Sequence, residues 1–261
     1  MNTNTSLLGR MVGLFAAQAG VYCLSVLIAG VLGIASVTAV SLASYPAASP
    51  ESFDPVALWR SLGVSGQLVF IFGLVLGFWT PVLVAARGVC RITTNQISGQ
   101  PVSLPLVLAD MLRFIPAAFV YSLVIGIPAL IGSSLLFLPG IVVVSLFALV
   151  VPTSVNEPGG IFATLRRGYS LGGKVFGRVL LLTLASCALM VMVLALRIYG
   201  LDQFLPRAGL ALFATRFGIT YVPALLVLVL ANICFTLLYL DARKAETPVS
   251  PLPTASSAAG N

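Results

Sequence analysis

Apolar runs of about 20 residues alternate along this chain with short polar breaks. They show neither the two-residue period of a half-buried strand nor the single stripe of a water-facing helix. Runs of that length match a hydrocarbon core of about 30 Å, so they predict transmembrane helices. Six spans follow, over about 17–41, 67–89, 114–137, 139–152, 179–196 and 219–240, with a partly amphipathic lead-in from Leu7 to Phe15. The first run exceeds the apolar core of a cleaved signal peptide, about 7 to 15 residues, and reads as a retained span. The fourth is short: about 12 residues separate Pro139 from Pro152, or about 18 Å of helix. Flanking Leu138, Thr153, Ser154 and Val155 can extend it, or spans three and four can form a re-entrant hairpin. Either arrangement returns the chain to the same side.

The breaks have their own logic. Tyr45–Ser65, with Pro46, Pro50, Glu51, Asp54, Pro55 and Arg60, reads as an extramembrane loop with Trp59 at the interface. Arg197–Gly218 reads as a second, short loop with helical character. The polar connection Thr93–Ser103 leads through Ser103, placed as an N-cap, and Pro105 in the first turn into a short elbow helix reaching Arg113. Pro116 and Pro128 are expected to kink span three, and Pro223 span six. Gly73 and Gly77 have a spacing that allows close helix approach, and Asn232 and Gln67 are placed as interhelical hydrogen-bonding groups.

A second elbow is expected between Asn156 and Arg178. Asn156 or Glu157 can cap its start, Pro158 suits the first turn, and Glu157 complements the helix dipole. Ile161, Phe162, Leu165 and Tyr169 share one face, while Thr164, Arg167 and Ser170 lie away from it, the pattern of a helix resting apolar side down on a membrane. Gly168, Gly172 and Gly173 are read as a bend into span five. The fold class is therefore all-α, a polytopic transmembrane helical bundle of about six spans with two cytoplasmic interfacial elbow helices. Residues 1–246 form the transmembrane domain, and the Pro-, Ser- and Ala-rich 247–261 are expected to be a disordered tail.

Composition supports this solvent. Hydrophobic residues make up 59% of the 261 and charged residues only 8%, against about a quarter charged in a soluble domain. The net charge of +7 is scattered at the ends of apolar runs, which speaks against nucleic acid and for anionic lipid. Six spans with an inside N-terminus place Arg10, Arg87, Arg91, Arg113, Arg166, Arg167, Lys174, Arg178, Arg243 and Lys244 on the cytoplasmic side. Only Arg60, Arg197, Arg207 and Arg216 fall outside, the bias of the positive-inside rule. Both termini are thus expected in the cytoplasm.

Candidate chemistry is sparse. There is no histidine, which removes the commonest general base and metal ligand together. Cys23, Cys90, Cys187 and Cys234 lack CxxC spacing and read as small buried hydrophobes. No ionisable residue falls at mid-span, which argues against a transporter with an acidic relay. Gly168–Val175 matches GxxxxGK, but Val175 stands where a P-loop needs Ser or Thr and no strand precedes it. No catalytic, cofactor-binding or metal residue is expected, and no enzymatic activity. Arg166, Arg167, Lys174 and Arg178 are the densest positive cluster, each contributing roughly 1 kcal/mol of attraction near an anionic leaflet. They serve either to fix topology or to hold a lipid headgroup or protein partner.

Two patches carry a family resemblance. Pro139-Gly140, Pro152, Glu157 and Ala163-Thr164-Leu165-Arg166-Arg167-Gly168-Tyr169-Ser170, together with Tyr239-Leu240-Asp241-Ala242-Arg243, resemble the membrane domain of bacterial glycerophosphoryl diester phosphodiesterases. The likeness spans the second to sixth apolar runs loosely and implies a helical bacterial inner-membrane domain. Gly168 departs from the usual serine. These 261 residues leave no room for the family's catalytic barrel and hold no histidine for its acid–base pair, so the resemblance does not imply the enzymatic activity for them. The expected function is a non-enzymatic multi-pass membrane module that organises or assists an envelope or lipid process. Its expected partners are anionic headgroups at the cytoplasmic face, or a membrane protein such as a second copy. The alternative is a permease or transporter subunit for a small or lipidic substrate, which would require polar groups converging between helices.

Overall fold

The computed structural model describes residues 9–25, 27, 63–136, 138–157, 159–196 and 210–246. Every regular element among them is helical. Residues 9–25 form α1, followed by α2 (Val64–Ile97) and α3 (Leu104–Tyr121). A π turn (Ser122–Gly126) leads to α4 (Ile127–Leu136). Then come α5 (Leu138–Phe147), α6 (Val150–Asn156), α7 (Ile161–Lys174), α8 (Phe176–Ala195) and α9 (Leu210–Glu246). Among the described residues, four segments are long and apolar enough to cross a membrane: Leu104–Ser133, Leu138–Asn156, Phe176–Val193 and Leu226–Glu246. The expected tail and most of the Tyr45–Ser65 loop lie outside the described residues, and the expected loop Arg197–Gly218 is helical from Leu210.

The first elbow is not a separate helix. α3 runs unbroken from Leu104 through Pro116 to Tyr121. One proline removes a single N–H, and Met111, Phe114 and Ala118 on either side are buried in the core. Ser103 is the N-cap residue and proline stands in the first turn, but the hydroxyl makes no capping bond. The kink expected at Pro128 takes the form of the π turn just before it, because proline cannot donate to the carbonyl four residues back and its ring crowds that oxygen. α2 likewise continues beyond its expected end, to Ile97, and turns at Gly99, whose φ of 68° is the left-handed conformation glycine adopts freely. Thr93, expected in a polar connection, is fully buried.

Spans three and four pack as a tight hairpin. A Cβ on Gly132 would lie 2.7 Å from the Gly140 nitrogen, and one on Gly140 would lie 2.8 Å from the Ala129 carbonyl oxygen. The fourth run reaches Asn156 after a brief turn, 19 residues in all, or about 28 Å of helix. Its flanking residues therefore do extend it. Thr153 is accommodated there by donating its hydroxyl to the Leu149 carbonyl, 2.7 Å away.

The main core joins α1, α2, α3, α6 and α9, with Val89, Ile92, Val107, Ala118, Ile233 and Leu237 nearly inaccessible. A second cluster of Leu149, Leu171, Val179, Leu238 and Tyr239 ties α7 and α8 to the end of α9. Burial separates the roles of the spans: 56% of the Leu226–Glu246 window is buried, against 11% of Phe176–Val193. α9 is thus central and α8 peripheral.

α1 adopts an unexpected course. Arg10 in its first turn reaches Asp241 of α9, at 3.4 Å. Gln96 of α2 donates to the Leu14 carbonyl, and Tyr22 meets Thr93 and Gln96. Residues 10 and 22 lie about 18 Å apart along a helix. Their partners nevertheless sit at one level, because a Thr236–Cys90 contact at 3.1 Å sets Thr93 and Gln96 beside the last turns of α9. The described part of α1 therefore lies obliquely across the ends of α2 and α9. Only residues 17–25 and 27 of the expected first span are described, and they belong to this charged end.

Candidate functional site

The end of the bundle where α2, α6 and α9 terminate and α3, α7 and α8 begin carries the polar chemistry. Each described acidic side chain is paired there: Asp110 with Arg87, Asp241 with Arg10, Glu157 with Arg167, and Glu246 with both Arg167 and Lys174.

Arg87 is the most enclosed of these cations. Its side chain is 15% exposed, and its nitrogens are occupied. Nε and Nη2 each donate to an Asp110 oxygen at 2.9 Å, and Nη1 donates to the carbonyl and hydroxyl oxygens of Ser154, both at 2.9 Å. The guanidinium carbon also lies 4.7 Å from the centre of the Phe114 ring. A planar fork suits this bidentate arrangement, where a lysine would act as a point charge. The result is a lock joining α2, α3 and α6. Four of its five N–H donors are held by these partners.

The second node gathers around Glu157. Its carboxylate accepts from Arg167 Nε at 3.1 Å and from the Tyr239 hydroxyl at 2.8 Å. The other face of the Arg167 guanidinium binds Glu246, which also takes Lys174. The bond to Glu246 is the main influence pushing the Arg167 guanidinium above its already high ordinary range, so it stays charged. Glu157 was expected to cap α7; instead it ends α6, and Gly160 is the N-cap of α7 without a side-chain bond. Asn156 is engaged elsewhere, donating to the Pro152 carbonyl and to Thr94.

α7 seats itself through glycine. A Cβ on Gly168 would lie 2.7 Å from Val150 Cα, and one on Gly172 would lie 2.5 Å from the Leu146 carbonyl oxygen. Both are inside the helix, so they are a packing seam and not the expected bend; the turn into α8 falls at Val175. The buried face is Thr164, Leu165, Gly168, Leu171 and Gly172, and Phe162 is 77% exposed. Of the expected apolar face, Leu165 is buried in the bundle beside this seam, while Phe162 and Tyr169 stay exposed on its flank. Helical conformation across Gly168–Lys174 also leaves no phosphate-cradling loop there.

The four expected contact residues divide. Arg167 and Lys174 face the Glu157–Glu246 node, whereas Arg166 and Arg178 are exposed and have no ion pair among the described residues. Arg113 and Lys244 are exposed likewise. From the sequence Arg87 reads as a topology charge ending span two, and Asp110 only as a polar residue of the first elbow. Their pairing was signalled only by a lone aspartate among leucines following an arginine that closes an apolar run.

Most buried hydroxyls between the spans, among the described residues, are bonded within their own helices. Ser122, Thr183, Asn232 and Thr236 each donate to the carbonyl four residues back in their own helix, a local arrangement open to short polar groups in apolar surroundings. Asn232 was expected to bond between helices and does not do so through that amide. Ser122 meets Thr80 of α2 at 3.0 Å, and the buried Ser145 hydroxyl has no partner. The cysteines are free: Cys90 and Cys234 are buried, but Cys23 is exposed, on the outer side of α1. A groove of about 510 Å³ lies at the charged end, lined by Lys174, Val175, Ala242, Ala245 and Glu246. No group of three metal-ligating side chains occurs among the described residues. No family model, curated protein or solved structure matches this chain.

Proposed function

We propose that this is a non-enzymatic, six-span bacterial inner-membrane protein that organises or assists an envelope or lipid-related process, with its charged end and both termini at the cytoplasmic face. One observation carries the reading. Among the described residues, every acid is paired with a base at one end of the bundle, which keeps further cations exposed there, while most of the buried hydroxyls between the spans donate within their own helices. Such a body suits a scaffold that meets headgroups and partners at its surface. The Arg10–Asp241 pair, which brings the start of α1 to the end of α9, supports termini on one side. The likeness to the glycerophosphodiesterase membrane domain is part of this proposal.

The permease alternative needs polar groups converging on a path between helices, and among the described residues most buried hydroxyls are turned to their own helices instead. Two measurements test the proposal. Reporters active only inside cells should work when fused after Glu246, and cells lacking the protein should show altered envelope lipid composition. Solute flux in proteoliposomes that depends on the protein would overturn it in favour of the permease.

A further inference from the structure

The outward face of α7 has a composition that its fold leaves unused. Going around the helix from the buried Gly168–Gly172 seam, Phe162 and Tyr169 come first, then Arg166, then Ser170 and Ala163, and finally Lys174 and Arg167 turned toward Glu246. Phe162 is 77% exposed and Tyr169 49%, its ring tilted against Phe147 at 5.6 Å. Arg166 stands between the aromatic flank and the polar flank. Because every described carboxylate is already paired, no acid among the described residues remains to neutralise Arg166, or Arg178 just beyond the turn into α8.

We infer that this face is a docking shelf for an anionic phospholipid, with Phe162 and Tyr169 at the acyl boundary and Arg166 and Arg178 on the headgroup phosphate. The inference rests on the reading above that this end lies at the membrane surface. An aromatic flank beside a cation is the arrangement that places rings at headgroup level and charge on the phosphate. A soluble anion would have no use for Phe162. The inner pair, Arg167 and Lys174, takes no lipid while Glu246 holds it. Charge complementarity thus assigns the lipid to the outer pair, although all four cations are neighbours in sequence.

The test uses the purified full chain in detergent, titrated with acyl-labelled phosphatidylglycerol and with phosphatidylcholine carrying the same label. Wild type should prefer phosphatidylglycerol, and Arg166→Gln with Arg178→Gln should lose affinity by about fivefold per arginine. Arg166→Lys with Arg178→Lys should keep most of it. Equal binding of the two lipids by wild type, or unchanged phosphatidylglycerol binding by the Gln pair, would overturn the inference. So would displacement of the lipid by millimolar inorganic phosphate, which would assign the site to a soluble anion. If the Gln pair fails to fold, Phe162→Ser must lower affinity for both lipids while preserving the preference between them; unchanged affinity overturns the shelf. A C-terminal reporter found outside, with lipid binding intact, would defeat the orientation proposed above and leave this site standing.

Discussion

Glu157 and Tyr239 are 82 residues apart in sequence, yet the phenol donates to the carboxylate across 2.8 Å. One partner ends α6 and the other is fully buried in the last turns of α9. The bond therefore fixes the depth of the fourth span against the last one, and it does so beside the Arg167 pair that anchors α7.

Tyr239→Phe removes that donor and keeps the ring. A hydrogen bond to a charged acceptor contributes about 1.5–3 kcal/mol, and the carboxylate retains Arg167, so the lower part of that range is expected. Thermal unfolding in detergent should show the loss, with helicity unchanged before the transition. A variant as stable as wild type would mean the contact is incidental.

Arg87→Met should be more damaging, because it leaves Asp110 and the Ser154 oxygens without their donor. Breaking a fully buried pair costs about 3–5 kcal/mol; with Asp110 still partly exposed, about 2–3 is expected. Arg87→Met combined with Asp110→Leu should recover much of the loss, since no uncompensated charge remains. Additive losses in the double-mutant cycle would show that the two side chains do not act as a unit.

The glycines of α7 give a paired prediction. Gly168→Ala drives a methyl into the Val150 backbone and should destabilise by about 1–3 kcal/mol, the usual cost of overpacking. Gly173→Ala meets nothing within 4 Å, so its better helix propensity should make it neutral or stabilising by up to about 1 kcal/mol. Equal effects at both positions would remove the packing seam.

What could be read from residues alone follows from the physics each rule captures. Apolar length predicts helices near 114–137, 139–152 and 179–196 because the requirement for about 20 apolar residues is local. Pro128 marked a distortion correctly, since a missing N–H acts within one turn. The glycine seam of α7 was not legible: periodicity groups Phe162 with Leu165, but Gly168 and Gly172 touch the α5–α6 backbone and draw Leu165 into the bundle while Phe162 stays exposed, a tertiary contact with no periodic signature. The charge nodes were hidden for a similar reason. Glu157, Arg167, Tyr239 and Glu246 each look like ordinary end-of-span residues, and only the packing of α6, α7 and α9 brings them together.

Glu246 connects stability to the lipid shelf. It binds Arg167 and Lys174 together, and the Lys174 side chain is more than half exposed, so the pairs are screened by solvent and Glu246→Gln should change stability by less than about 1 kcal/mol. The same substitution releases Lys174 and leaves Arg167 to Glu157 alone, and a freed cation adds roughly 1 kcal/mol of attraction to an anionic surface. Phosphatidylglycerol affinity should therefore rise several-fold while phosphatidylcholine affinity stays level. Glu246→Asp, which keeps the charge on a shorter arm, should behave as wild type in lipid preference. Lower phosphatidylglycerol affinity in Glu246→Gln would instead show that the node shapes the lipid site and does not compete with it.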